Sequence, residues 1–262
     1  MTKLSISLGQ MNIKLGQVDE NFDRAERLVE RASQSASDLV ILPELWTTGY
    51  DLENASDYAD ELHAGSFARL SALAEEYRIA IYGSVLERAN GAATNCAALH
   101  TADGRLAGVY RKIHLFRLFD EHLWLGEGAS PTALDSLWGV TGLSICYDLR
   151  FPELFRRYAV KDRARLILLC AEWPQARVEH WRALLKARAI ENQLFVAATN
   201  ACGETGGTAF GGHSMVIDPW GQVLIEGGED EELLTAEIDL DEVDRVRMQI
   251  PVFEDRRPDA YL

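Results

Sequence analysis

The sequence predicts an α/β fold, in which β-sheets are covered by helices. Segments with the 3.6-residue period of an amphipathic helix alternate along the chain with short apolar segments of strand length. Residues 39–42 and 166–170 are apolar at every position. A strand that is apolar on both faces belongs inside a sheet that helices cover. The alternation and the doubly apolar strands are together typical of α/β proteins.

The first third of the chain contains three strand patterns and two helix patterns. The predicted elements are a strand at residues 4–8, a helix at 19–35, a strand at 39–42, a helix at 66–78 and a strand at 79–85. Asp19 is placed to cap the first turn of the first helix. Pro43 and Glu44 follow the strand at 39–42, so Glu44 lies at a strand end.

Two turn signals in the middle of the chain predict antiparallel strands. Asn90-Gly91 is a typical hairpin dipeptide, and Asp103-Gly104 separates two further apolar segments. The expected elements are strands at residues 95–101 and 106–110 and then a loop with some helix at 113–128. Lys112 comes directly after the second of these strands, so it also lies at a strand end.

The remaining chain continues the alternation and ends in a hairpin and a charged helix. The predicted elements are strands at residues 140–145, 166–170, 195–199 and 233–238, a hairpin at 214–224, and helices at 152–158, 179–193 and 239–248. No linker rich in Gly, Ser or Pro interrupts this order, and no repeat of fixed period is present. We therefore predict a single domain over residues 1–262.

Composition and charge exclude several classes of function. The chain has 26 Lys and Arg against 41 Asp and Glu, a formal net charge of −15. This balance disfavours binding to nucleic acid or to an anionic membrane surface. The four cysteines are far apart, which indicates neither a disulfide framework nor a zinc site. With no signal-like segment or membrane-length apolar run, we expect a cytoplasmic protein.

Cys146 follows the apolar segment at residues 140–145 and precedes a short helix. A cysteine at the carboxyl end of a strand lies where α/β proteins bind their ligands, whereas a cysteine in mid-strand is usually inert packing. We interpret Cys146 as a nucleophile, with packing as the alternative. Glu44 and Lys112 then complete what covalent amide hydrolysis needs, a base and a positive charge for the oxyanion. The backbone N–H of Tyr147 would add a second oxyanion donor.

The sequence also resembles the carbon–nitrogen hydrolases of the nitrilase superfamily. The matching stretches are residues 42–44 (LPE), 110–116 (YRKIHLF), 146–153 (CYDLRFPE), 187–193 (ARAIENQ), 212–214 (GHS) and 218–221 (DPWG). The resemblance implies a four-layer αββα sandwich and a cofactor-free, metal-free Glu44-Lys112-Cys146 triad. It also implies a second glutamate at Glu121, with Glu127 as the rival position, and assembly into homodimers or higher homo-oligomers.

Within that superfamily, the stretch around Cys146 and the pair Trp173-Pro174 look like the ω-amidase branch. That branch removes ammonia from 2-oxo acid amides such as 2-oxoglutaramate, so a small carboxylated amide is the expected substrate. Tyr147 and Trp173 are the expected substrate-binding residues. Tyr147 stands where true nitrilases more often have tryptophan, which counts against a nitrile. The alternatives are an N-carbamoyl-compound hydrolase, a nitrilase, or a catalytically idle ligand-binding scaffold.

Overall fold

The structure is a computed structural model that describes residues 3–136 and 138–260. These residues form two sheets of six strands each and a separate two-stranded hairpin. The strands are β1 Lys3–Gln10, β2 Leu39–Ile41, β3 Ala80–Ala89, β4 Ala92–His100, β5 Leu106–Arg111, β6 Ala133–Ser136, β7 Gly139–Ile145, β8 Leu166–Ala171, β9 Phe195–Asn200, β10 Cys202–Thr205, β11 Thr208–Gly211, β12 Met215–Ile217, β13 Val223–Glu226 and β14 Glu232–Asp239. The helices are α1 Val18–Gln34, α2 Ala55–Tyr58, α3 Gly65–Tyr77, α4 Glu121–Trp124, α5 Pro152–Val160, α6 Val178–Asn192 and α7 Glu242–Gln249.

Both large sheets are mixed. The first has the strand order β14-β1-β2-β3-β4-β5, with β1, β2 and β3 parallel and the other pairs antiparallel. The second has the order β13-β12-β9-β8-β7-β6, with β7, β8 and β9 parallel. The parallel strands therefore form the centre of each sheet, where helical crossovers connect them.

Strand β2 shows how the layers are arranged. Leu39 and Ile41 point into the core between the two sheets, whereas Val40 points to the opposite face, beneath α1 and α3. The second sheet is covered in the same way by α5 and α6, which contribute Phe155 and Trp181 to its core. The predicted α/β class and the αββα sandwich are confirmed. The strands predicted to be apolar on both faces are those that pack against a hydrophobic core on each face of the sheet.

The structure corrects the expected start of the first helix. Helix α1 begins at Val18, one residue earlier than predicted, and Gln17 precedes it without a capping side-chain bond. Asp19 lies inside the first turn and accepts a hydrogen bond from Arg69 at 2.8 Å, so its predicted capping role is wrong. The helix N-terminus still favours an acidic residue there. The short elements α2, β6, β10 and β11 were not predicted, because each is too short to show a period.

Tyr82 connects the two sheets next to the strand that leads to Cys146. Its hydroxyl donates a hydrogen bond to the carbonyl oxygen of Ser144 at 3.0 Å and accepts one from the N–H of Ser144 at 3.2 Å. Ser144 lies beyond the part of β7 that pairs with β6. Ser144 is paired with β8 through Leu169, so the tyrosine adds a bond from the first sheet to two backbone groups of a central strand of the second sheet.

Replacing Tyr82 by phenylalanine should destabilise the fold. Tyr82→Phe removes two buried hydrogen bonds to the backbone of Ser144, which should lower the free energy of unfolding by about 1–3 kcal/mol. Urea denaturation measures the change. Tyr77→Phe is the control, because that hydroxyl bonds Glu26 nearer the surface, and its effect should stay within about 0.5 kcal/mol. Equal losses in both variants would contradict the linking role of Tyr82.

Candidate active site

The two sheets bring three predicted strand-end residues to one place. Glu44 follows β2 and Lys112 follows β5 in the first sheet, while Cys146 follows β7 in the second. The Nζ atom of Lys112 lies 2.7 Å from Oε1 of Glu44, and both side chains are fully buried. The thiol of Cys146 donates a weak hydrogen bond to the backbone carbonyl oxygen of Glu172 at 3.9 Å, and the charges of Glu44 and Lys112 both act on its pKa. The side chains therefore share one buried cluster, although 68 residues separate Glu44 from Lys112.

Lys112 lies between two carboxylates. Its Nζ atom contacts Oε1 of Glu44 at 2.7 Å and Oε1 of Glu121 at 2.6 Å. Burial by itself lowers the pKa of Lys112, but the charges of Glu121 and Glu44 outweigh that effect and hold the pKa well above its ordinary value. Lys112 is therefore a protonated ammonium at neutral pH.

The structure distinguishes the two candidate second glutamates. Glu121 is buried, and besides Lys112 it accepts hydrogen bonds from the hydroxyl of Tyr50 at 2.7 Å and the N–H of Phe116 at 2.8 Å. Burial raises the pKa of Glu121, while the ammonium of Lys112 acts in the opposite direction. Glu127 is exposed. Of the two, it is Glu121 that lies in the cluster.

Glu44 is held by three donors. Its Oε1 atom accepts hydrogen bonds from Lys112 and from the side-chain amide of Asn95 at 2.8 Å, and its Oε2 atom accepts one from the N–H of Glu172 at 3.0 Å. Asn95, Glu172 and Tyr50 are site residues that the sequence analysis missed. Glu172 directly follows strand β8, so its strand-end position was a usable signal, whereas nothing local marked Asn95 or Tyr50.

The backbone at Cys146 is in a strained conformation. Its φ angle is 41°, in the left-handed region that non-glycine residues rarely adopt, and it begins a 3₁₀ turn over Cys146–Arg150. The buried side chain of Asp148 stabilises this turn through hydrogen bonds. Its carboxylate accepts hydrogen bonds from the N–H of Ile145 at 2.9 Å and the hydroxyl of Tyr110 at 2.8 Å. The turn presents the sulfur at the end of β7, as at other strained nucleophiles.

The environment keeps Cys146 protonated. Burial raises the pKa of Cys146 well above its ordinary value, and the negative charge of Glu44 raises it further, while Lys112 lowers it. The resting residue is therefore a thiol rather than a thiolate. A carboxylate in contact with that thiol can accept its proton as the sulfur attacks. The geometry thus provides nucleophile, base and cation together.

A narrow cleft opens onto the sulfur. Its lining residues are Phe116, Cys146, Tyr147, Arg150, Glu172, Trp173, Pro174 and Arg177. Tyr147 packs on Phe116 with ring centroids 4.8 Å apart. Trp173 lines the cleft and is also core, because it is 2% exposed and its ring lies 5.6 Å from that of Trp181. Both residues predicted to bind substrate therefore face the same space as the cysteine.

A second, larger cavity adjoins the cleft. It has a volume of about 260 Å³ and is lined by Leu15, Tyr50, Phe119, Asp120, Glu172, Thr205, Gly206, Thr208 and Phe210. Glu172 lines both spaces, so they adjoin at this residue. Over residues 3–136 and 138–260, no three His, Cys, Asp or Glu side chains are grouped to hold a metal ion.

The fold and the buried cluster define an α/β enzyme of the carbon–nitrogen hydrolase type. The model of that family, described as "Carbon-nitrogen hydrolase", matches residues 5–248. The chain belongs to the carbon–nitrogen hydrolase family. No helix in the described part of the chain combines the length and the apolar character that crossing a membrane requires.

Two curated relatives cover nearly the whole chain. The 2-oxoglutaramate amidase of Bacillus subtilis is 46% identical over 262 residues, covering 99% of this chain and all of the relative. The omega-amidase NIT2 of Homo sapiens is 35% identical over 270 residues, covering all of this chain and 98% of the relative. The similarity therefore extends through every element of the site.

Two solved structures share this fold, and one of them shows a modified active-site cysteine. A carbon–nitrogen hydrolase superfamily protein from Xanthomonas campestris, with an arsenic adduct in its active site, superposes with a TM-score of 0.92 at 35% identity, covering 98% of both chains. A mutant amidase from Nesterenkonia sp. AN1 superposes with a TM-score of 0.84 at 28% identity, covering 95% of this chain and 98% of that one. In that structure acrylamide has added to the active-site cysteine.

Removing the charge of Glu44 should make Cys146 more reactive towards alkylation. Glu44→Gln eliminates one of the influences that raise the pKa of the thiol and leaves Lys112 less neutralised. We expect alkylation of Cys146 by iodoacetamide at pH 7 to accelerate about tenfold for each unit by which the pKa falls. Mass spectrometry of the Cys146 peptide measures the rate.

Glu127→Gln is the matched control for this experiment, because Glu127 is exposed and lies outside the cluster. Its alkylation rate should equal that of the unmodified protein. Slower alkylation of Glu44→Gln would contradict the electrostatic account and would mean that Glu44 removes the thiol proton during alkylation as well.

Proposed function

We propose that this protein is an ω-amidase, which hydrolyses a small carboxylated amide such as 2-oxoglutaramate to the acid and ammonia. The observation that carries the proposal is the cluster in which Lys112 lies between Glu44 and Glu121, with the thiol of Cys146 against Glu44. The 46% identity to a 2-oxoglutaramate amidase over the full chain supports the substrate class.

In the acylation step, the sulfur of Cys146 attacks the amide carbon while Glu44 takes the thiol proton. The carbonyl oxygen becomes an oxyanion, for which the ammonium of Lys112 and the backbone N–H of Tyr147 are the proposed donors. Glu44 then gives the proton to the departing nitrogen, the C–N bond breaks, and ammonia leaves. The product of this step is a thioester on Cys146.

In the deacylation step, a water molecule takes the place that ammonia leaves. Glu44 removes a proton from this water, which attacks the thioester carbon. The C–S bond then breaks to release the acid, and Glu44 returns the proton to the departing sulfur, which restores both the thiol and the carboxylate. Glu121 acts here as a positioning residue, because its contacts are to Lys112 and to two donors of the surrounding fold. Glu121 keeps the ammonium group of Lys112 protonated and oriented towards the proposed oxyanion.

The cleft supports an acidic substrate. Arg150 and Arg177 both line it, although the protein as a whole carries a net charge of −15. The guanidinium of Arg150 lies 4.7 Å from the ring centre of Trp173, which limits its movement. Two arginines that line the same cleft as the cysteine favour a substrate with a carboxylate at the end away from the amide. Tyr147 and Trp173 would contact the carbon chain between the two ends.

The proposed function predicts that turnover depends on one sulfur. Purified protein should release ammonia from 2-oxoglutaramate, and Cys146→Ala should reduce kcat by at least about 10³-fold because the nucleophile is gone. Cys202→Ala is the control, since that thiol is outside the cluster. Turnover retained in Cys146→Ala would contradict the mechanism. Preferred consumption of an N-carbamoyl compound or a nitrile in the same ammonia assay would instead contradict the substrate class.

We further propose that the chain is a single cytoplasmic domain that forms homodimers. All four cysteines are free, which is typical of a reducing compartment and can be tested by fractionating producing cells. Helix α6 exposes Ile190 beside the turn that carries Trp220, and these apolar side chains are 51% and 42% exposed. Apolar residues together at a surface are typical of an interface.

A charge in this patch should disrupt the dimer. Ile190→Glu would bury an unpaired carboxylate at the contact, so the variant should elute and scatter light as a monomer under conditions where the unmodified protein is a dimer. Leu123→Glu is the control, because Leu123 is equally apolar and 66% exposed but lies on α4. A dimer that persists in Ile190→Glu would place the interface elsewhere.

A further inference from the structure

Glu172 is built into the site through its backbone. It directly follows strand β8, its N–H donates a hydrogen bond to Oε2 of Glu44 at 3.0 Å, and its carbonyl oxygen lies 3.9 Å from the sulfur of Cys146. Glu172 is a lining residue of both the cleft and the second cavity. The backbone of Glu172 is therefore fixed close to the reacting sulfur, and its carboxyl group lies within the influence of the charges of Glu44, Lys112 and Glu121.

The carboxyl group itself has no partner in the described part of the chain. Glu172 is 1% exposed, and neither of its buried oxygens receives a hydrogen bond there. Arg150 and Arg177 line the same cleft but do not pair with it. A buried carboxylate without donors is strongly unfavourable, so the group sheds its charge by binding a proton. Burial, followed by the charge of Glu44, raises the pKa of Glu172 well above its ordinary value, and Lys112 only partly opposes this.

A neutral carboxylic acid carries an O–H donor that requires an acceptor. Glu44 and Glu121 already accept three hydrogen bonds each from other residues of the cluster, and neither of them pairs with the carboxyl group of Glu172. The second cavity, at about 260 Å³, is large enough for the chain of a small acid amide. The acceptor that fits this position is consequently an oxygen of the bound substrate.

We propose that Glu172 is a specificity-determining residue, whose neutral carboxyl group donates a hydrogen bond to an oxygen at the acid end of the substrate. That oxygen belongs to the carboxylate or to a 2-oxo group beside it. The inference rests on the proposed function, because its ligand is an acid amide held at Cys146. Arg150 and Arg177 supply charge, and Glu172 supplies a directed donor. An amide without an oxygen at that end leaves the donor unpaired and is disfavoured.

Steady-state kinetics on three amides test this role. The substrates are 2-oxoglutaramate, glutaramate, which lacks the 2-oxo group, and pentanamide, which lacks the acid end. Glu172→Leu should lower kcat/KM for 2-oxoglutaramate at least about tenfold more than for pentanamide, mainly through KM. Glu172→Gln keeps the volume and an N–H donor, so its preference should stay within about threefold of the unmodified enzyme. A matching loss on glutaramate identifies the carboxylate as acceptor, whereas sparing of glutaramate identifies the 2-oxo oxygen.

Two kinetic outcomes would overturn the proposal. Equal losses on all three amides in Glu172→Leu would mean that Glu172 only supports the structure. A loss in Glu172→Gln as large as that in Glu172→Leu would mean that an ionised carboxylate, not an acid donor, is needed. Absence of wild-type turnover on all three amides is a different result, because it contradicts the proposed function rather than the assignment of Glu172.

Infrared difference spectroscopy gives a readout that does not depend on turnover or on the leucine variant folding. Binding of 2-oxoglutarate, the product acid, to the unmodified protein should shift a protonated-carboxyl band that is missing in Glu172→Gln. A spectrum without that band, or a band that 2-oxoglutarate leaves unmoved, would overturn the proposal. Circular dichroism of both variants establishes that the comparison is between folded proteins.

Discussion

The site depends on a buried ammonium held between two carboxylates. Lys112 contacts Glu44 at 2.7 Å and Glu121 at 2.6 Å with no solvent exposure, and each charge would be costly to bury without the others. Because the attraction acts where water is excluded, the three side chains hold one another in a narrow range of positions. The same attraction leaves Lys112 positively charged beside Cys146, where a developing oxyanion needs it.

The two sheets supply the framework that this ion cluster requires. Glu44 and Lys112 come from strand ends of one sheet, while Cys146 comes from the other, so the cluster forms only when the sheets pack face to face. Tyr82 fixes that packing two residues before the nucleophile by bonding Ser144 of β7. Two residues after the cysteine, Asp148 stabilises the strained turn at Cys146. The packed core between the sheets therefore fixes the position of the thiol.

The groups that carry out the chemistry and the groups that recognise the substrate lie in different parts of the site. Glu44, Lys112 and Cys146 are packed tightly, and each has its polar partners within the fold. The cleft beyond them is lined by groups with unused bonding capacity, including two guanidinium groups and the unpartnered carboxyl of Glu172. Tight packing favours a fixed reaction geometry, whereas unpaired groups acquire partners only when a complementary ligand binds. This division explains how one scaffold can keep its chemistry while the lining of the cleft selects the substrate.

The sequence by itself determined the α/β class, most strands and helices, and the strand-end positions of Glu44, Lys112 and Cys146, because periodicity and turn residues are local signals. It left Glu121 and Glu127 as alternatives, because two glutamates in the same loop cannot be distinguished by a local pattern. It also misassigned Asp19 as a helix cap. Only the tertiary structure buried Glu121 against Lys112, exposed Glu127 and brought Glu172 beside the sulfur. Such choices depend on contacts between strands far apart in the chain, and those contacts arise from the packing of two sheets rather than from any local pattern.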